Sequence, residues 1–149
     1  MIYSGYSGIG KTSITKRSNK YIDLESSLFR INGFHLNNWD IVYCNIADYL
    51  SKQGYDVFIS THKEVRDRLH YCGIPFLVIT PTLELKDQWV AKLKQRYEEN
   101  PTQSNYLAFN TALNFYDILV GNLLEEPNKL IIDNMDYNLE TLIQNHNYK

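Results

Sequence analysis

Only two cysteines, Cys44 and Cys72, occur among 149 residues. That is too few, and too irregular, for a disulfide framework or a zinc cluster, so both are expected as buried, reduced thiols on helices. No apolar run approaches the roughly 20 residues that a membrane-spanning helix needs. The sequence opens on Met-Ile-Tyr-Ser-Gly instead of a basic and apolar leader, and a cytoplasmic, reducing compartment is expected. Neither sign of charge dominates: 15 Lys and Arg against 17 Asp and Glu give a formal net charge of −2. No global attraction to nucleic acid or to an anionic membrane follows from that balance, and nucleic acid is expected only as a substrate at a local basic site. Repeats and low-complexity tracts are missing as well, and 44% hydrophobic with 21% charged residues is the composition of a folded chain.

The length suits one domain with its own core, so residues 1–149 are read as a single domain with a hinge near 96–105. A very short first strand, Ile2 and Tyr3, runs into a glycine-rich turn, and a helix is expected over 11–18. A second short strand follows near 21–24. Trp39, Val42, Tyr43, Ile46, Tyr49 and Leu50 recur at three and four residues, one face of a helix that Gly54 stops. The strand at 56–60 leads into Thr61 and Glu64, a capping-box pair opening a helix that carries Val65 and Leu69 and ends at Gly73 and Pro75. A strand at 76–79 comes next. Leu85, Trp89, Leu93 and Tyr97 then mark a helix broken at Asn100-Pro101. A further helix at 105–124, a last strand at 129–133 and a short helix at 139–143 complete the order. Strands alternate with helices, and the inner strands are continuous apolar runs, as in a parallel sheet covered on both faces. The expected fold is α/β, a three-layer α/β/α sandwich.

Gly5-Tyr-Ser-Gly-Ile-Gly10-Lys11-Thr12 fits G-x-x-x-x-G-K-[ST] without a mismatch, between a short strand and a helix. A chance match in a chain this long is about one in two hundred, which leaves a plain glycine turn as the minor alternative. Glycines at 5, 8 and 10 permit backbone angles closed to other residues, so the amides of Ser7, Gly8, Ile9, Gly10, Lys11, Thr12 and Ser13 can turn inward around a phosphate. Lys11 is placed to reach the β- and γ-phosphates of ATP, and the Thr12 hydroxyl to ligate Mg2+, with Ser13 a weaker neighbour. The chain has no Asn-Lys-x-Asp base-recognition sequence of a GTPase and little room for the transmission elements of a motor.

Tyr21-Ile-Asp23-Leu-Glu25-Ser-Ser27 sends two carboxylates off the end of the second strand on one side. This resembles the D-x-D after the second strand of shikimate, gluconate and adenylylsulfate kinases, with Glu in the second place. The resemblance implies that Asp23 orients or deprotonates an acceptor hydroxyl, or engages a phosphate acceptor through magnesium, while Glu25 holds a magnesium-bound water. A solvated strand end is the alternative. Ser60-Thr-His62-Lys63-Glu-Val-Arg66-Asp67-Arg68-Leu69 is similar to a K-x-x-x-R-D-x-L run of gluconate kinases, at a tighter spacing. Lys63 and Arg66 then either hold an acceptor phosphate or line a solvated helix face, and His62 either joins them or serves at the helix start.

Lys92-Leu-Lys94-Gln-Arg96 is similar to the R-L-x-x-R start of the lid in small P-loop kinases, with Lys for the first Arg. By that likeness Arg96 stabilises charge on the transferred phosphoryl group and helps exclude water, and the break at 100–104 is the hinge. An exposed basic helix end is the other reading. Phe29, Arg30, Phe34 and His35 can stack on a base and bind its phosphate, or serve as core.

In element order nearly the whole chain resembles the small P-loop kinases, and most of all the nucleoside and deoxynucleoside monophosphate kinases of bacterial viruses. The implied activity is ATP- and Mg2+-dependent phosphoryl transfer to a nucleotide. Two alternatives stay open: a kinase of a small-metabolite or DNA-base hydroxyl, and an ATP-holding regulatory module without turnover. The implied partner is a small-molecule acceptor, with no membrane, and the chain is expected as a monomer or weak homodimer.

Overall fold

A computed structural model of the chain describes residues 1–147. In chain order the elements are β1 (Ile2–Gly5), α1 (Lys11–Arg17), β2 (Tyr21–Asp23), β3 (Arg30–Ile31), β4 (Phe34–His35), α2 (Trp39–Lys52) and β5 (Asp56–Ile59). They continue with α3 (Lys63–Tyr71), β6 (Leu77–Pro81), α4 (Lys86–Glu99), α5 (Gln103–Leu124), β7 (Lys129–Ile132) and α6 (Leu139–Asn147). Five strands make a central parallel sheet in the order β2-β5-β1-β6-β7, flanked by helices, while β3 and β4 pair separately as an antiparallel hairpin. Every residue of β1, β5 and β6 is buried, which is why these strands read as continuous apolar runs without alternation. No helix among the described residues is long and apolar enough to cross a membrane.

Tertiary contacts divide the chain into two compact units, one of Met1–Gly5 with Gly10–Val78, the other of Tyr6–Ile9 with the chain from Ile79 onward. In the first, β5 lies beside both β1 and β2, with Tyr3 opposite Phe58 and Asp23 also in register with Phe58. The Tyr3 and Phe58 rings meet at 5.5 Å, and Tyr21 stacks on Phe58 at 5.9 Å. The apolar face of α2 buries Trp39, Tyr43, Cys44 and Ala47. In the second unit, α4 and α5 close on one another around Trp89, Leu93, Ala112 and Tyr116, all essentially inaccessible. Each such large side chain contributes about 1.5–3 kcal/mol through the apolar surface it removes from water.

Three local expectations change. Helix α3 starts at Lys63 with His62 as its N-cap and no side-chain cap hydrogen bond, so the Thr61–Glu64 capping box does not form. The reason is visible in the turn, where the Thr61 carbonyl accepts from Arg66 Nε at 3.1 Å and fixes Thr61 ahead of the helix. Cys44 is buried on α2 as expected, but Cys72 sits just past the end of α3 and is exposed. Residues 30–35 form a hairpin where none was expected. Its turn residues Asn32 and Gly33 have φ of +54° and +83°, the left-handed pair that a two-residue hairpin loop requires.

Candidate functional site

The strand β1 is central in the sheet, and from its carboxyl end the chain turns through residues 6–10 into α1. Gly8 and Gly10 have φ of +92° and +109°, a region that L side chains enter only under strain. Lys11, the first residue of α1, folds back so that its Nζ donates to the Gly5 carbonyl at 3.3 Å. Its charge is thereby held at the loop. Thr12 and Ser13 are exposed on the first turn of α1.

Residues 7–9 are braced from the side by two aromatic donors. Trp89 Nε1 donates to the Ser7 carbonyl at 2.8 Å, and the Tyr137 hydroxyl to the Ile9 carbonyl at 2.8 Å. A trans peptide points its N–H opposite to its C=O, so these two bonds turn the amides of Gly8 and Gly10 away from the aromatic pair. Lys92 Nζ donates to the Tyr137 hydroxyl at 3.1 Å and lies 4.5 Å over the Trp89 ring. Burial, and then the nearby Arg96 charge, lower the Lys92 pKa. Arg96 itself is exposed, and its Nε donates to Asn105 Oδ1 at 2.9 Å, while Asn105 Nδ2 donates to the Asn100 carbonyl at 2.9 Å. The 96–105 segment is therefore a hydrogen-bonded α4–α5 corner, and Lys92 is the cation of α4 tied to the loop.

The close fit at Gly8 gives a stability prediction. A Cβ built there would stand 2.9 Å from Leu93 Cδ2 and 3.2 Å from Trp89 Nε1, at a φ of +92°. Gly8→Ala is expected to cost about 1–3 kcal/mol from backbone strain and crowding, read as a lower thermal midpoint. An unchanged midpoint would contradict this placement of the loop.

The second group of residues lies at the carboxyl ends of β2 and β5. The Tyr43 hydroxyl donates to the Leu24 carbonyl at 2.6 Å and accepts the Ser60 amide at 2.9 Å, so one phenol ties the two strand ends together. Burial pushes its pKa above the usual range, hydrogen bonds with Ser60 oppose this, and the charges of Asp23 and Glu25 add to the rise. Asp23 is the last residue of β2 and half-buried, whereas Glu25 is exposed at the entry to the 3-10 turn Ser26–Phe29. Ser4 Oγ donates to the Ser60 carbonyl at 2.9 Å and fixes the end of β5 against β1.

Beyond these ends sits an aromatic and imidazole cluster. His35 of β4 stacks on Trp39 with ring centres 3.9 Å apart, and His62 meets both rings edge-on at 5.1 and 5.3 Å. Arg30 Nε donates to His35 Nε2 at 3.1 Å, and His62 Nδ1 shares a hydrogen bond with Ser60 Oγ at 2.8 Å. The His62 pKa is lowered by burial first; the Glu64 carboxylate opposes this, and the charges of His35, Arg30 and Lys11 add to the lowering. Lys11 and the β5–α3 turn are thus electrostatic neighbours. Phe29 packs edge-on against Tyr43 at 5.6 Å, while Phe34 is 79% exposed.

Of the cations expected to hold an acceptor, Lys63 pairs with Asp67 on an exposed face of α3, which is the solvated arrangement. Arg66 is buried and turned toward the Thr61 carbonyl, so it belongs to the turn and not to a solvated face. The structure brings Lys11, Asp23, Glu25, His62 and Arg30 into the surroundings of the β1, β2 and β5 ends. Within the same unit it also adds Tyr43, and in the other unit Trp89 and Tyr137 bond the carbonyls of residues 7 and 9; sequence reading treated these three as core or passed over them. Tyr43 and Trp89 stand on apolar helical stripes, and only their polar tips hint at a second task. Comparison with models of known protein families, with curated proteins and with solved structures finds no match to this chain.

Proposed function

We propose that this chain is a P-loop phosphotransferase of three-layer α/β/α design that uses ATP and Mg2+ to phosphorylate a nucleoside or deoxynucleoside monophosphate. The observation that carries the reading is the loop itself: two left-handed glycines, braced carbonyls at Ser7 and Ile9, and Lys11 folded onto Gly5. These features suit a triphosphate, because the positions of Gly8 and Gly10 leave no side chain in the turn and their amides face away from the braces. Gly5, Ser7, Gly8, Ile9, Gly10 and Lys11 would hold the nucleotide, and Thr12 with Ser13 the magnesium side of it. ATP supplies the phosphoryl group when bound. Lys11 neutralises charge on the phosphates, and Glu25 would support the magnesium shell through water.

Asp23 carries the acceptor role, since it is the carboxylate at the end of β2 beside Tyr43, and Tyr43 holds that end to β5. Arg30 and the exposed Phe34 offer a cation and a π-face for a phosphorylated base. Lys92, hydrogen-bonded to Tyr137, and Arg96, one turn later on α4, supply positive charge near residues 7–9 and the α4–α5 corner respectively.

The test is to incubate the protein with labelled ATP, magnesium and a panel of ribo- and deoxyribonucleoside monophosphates. A diphosphate product from at least one is expected. Transfer only to a non-nucleotide hydroxyl would move the reading to a metabolite or DNA-base kinase. ATP held without transfer to anything would make the chain a regulatory module.

A further inference from the structure

One cluster is not used by the reading above. His35 on β4, His62 at the start of α3 and Glu64 in its first turn bring one donor atom each to within 4.8 Å of one another. They come from two separate stretches of chain, and all belong to the same compact unit. We propose that His35, His62 and Glu64 form a three-ligand site for a divalent ion of the zinc class, with its remaining coordination position open to water or a substrate oxygen.

The chemistry favours this class. Two imidazoles and one carboxylate are ligands for zinc, cobalt or nickel, whereas magnesium takes oxygen. Three protein ligands with one open position is the pattern of a reactive zinc centre and not of a closed structural one. His62 also has an orienting partner: its Nδ1 engages Ser60 Oγ, the kind of second contact that sets which ring nitrogen faces a metal.

Tetrahedral bonds of about 2.0–2.2 Å separate donors by roughly 3.4 Å, so the three atoms must draw together on binding. Glu64 is exposed and can supply most of that movement by changing rotamer. The competitor is Arg30, whose Nε donates to His35 Nε2 at 3.1 Å and whose charge opposes a cation there. A metal at this nitrogen has to displace it.

The experiment uses the full chain carrying Cys72→Ser, which removes the exposed thiol as a rival ligand, stripped of metal and free of nucleotide. Titration with Co2+ is expected to give one equivalent of bound ion with the intense visible bands of low coordination number, bleached by Zn2+. Glu64→Gln and His62→Gln should each weaken binding by at least about tenfold. Arg30→Ala should tighten it, and far-UV circular dichroism checks that each variant is folded. No saturable binding, or equal affinity in folded Glu64→Gln and His62→Gln, would overturn the site. Unchanged affinity in Arg30→Ala would contradict the assignment of the ion to His35 Nε2. Because no nucleotide is present, failure of the ATP reading leaves this result standing, and the reverse also holds.

Discussion

Lys11→Ala is expected to lower phosphoryl transfer by about a thousandfold or more, the scale lost when a charged group aimed at a transferring phosphoryl is removed. The side chain starts α1, and its Nζ is already turned onto the Gly5 carbonyl, so its charge is preorganised at the loop. Little reorganisation is then needed when a triphosphate replaces that carbonyl as the partner. ATP affinity should fall together with turnover, because in the proposed role the same charge serves the bound nucleotide and the transition state. Since Lys11 is only half-buried and not among the buried core residues, the thermal midpoint should stay close to that of the parent chain. Initial rates and nucleotide titration on the two proteins check this. A variant that retains a tenth or more of parental turnover would contradict the role.

Asp23→Asn is expected to behave differently, lowering kcat by about a hundredfold to ten-thousandfold while the ATP dissociation constant stays within about threefold. Asp23 is the last residue of β2, next to Leu24, whose carbonyl accepts from the Tyr43 hydroxyl that joins β2 to β5. Asn keeps the volume and one acceptor oxygen but loses both the charge and the basic lone pair. A group that orients or deprotonates the acceptor is felt in kcat, whereas a group that binds ATP is felt in both constants. Equal loss of ATP binding in Asp23→Asn and Lys11→Ala would contradict the division of labour between them.

How much of this was legible in the sequence depends on how local each feature is. The turn from Gly5 to Thr12 could be read as a turn, because its glycines are local to eight consecutive residues, and Gly8 and Gly10 do take left-handed angles. The helix from Trp39 was legible as a helix, but only Trp39 and Tyr43 of the six positions read as its face are buried; Val42 and Tyr49 are exposed, and Cys44 and Ala47 complete the buried side. The β3–β4 hairpin was missed, because each strand has only two residues and shows no alternation to detect. Asn32-Gly33 between Ile31 and Phe34 was the available signal, and its physical reason, two successive left-handed residues, holds in the structure.

Other parts of the site were beyond the reach of pattern. Tyr137 meets the Ile9 carbonyl across 128 residues, and no spacing rule connects the two. Lys92 and Arg96 lie one turn apart on α4, and sequence favoured Arg96 by likeness alone. The choice between them depends on which one finds Tyr137 and which finds Asn105, a matter of how α4 and α5 close on each other. The capping box failed for a similar reason, because Arg66 took the Thr61 carbonyl and moved the helix start by one residue.

Calorimetric titration of the chain with MgATP tests the central claim most directly. The account expects saturable one-to-one binding that requires the triphosphate, so that adenosine binds far more weakly, and that is lost in Lys11→Ala. Absence of binding, equal affinity for adenosine, or full affinity in the Lys11→Ala variant would contradict it.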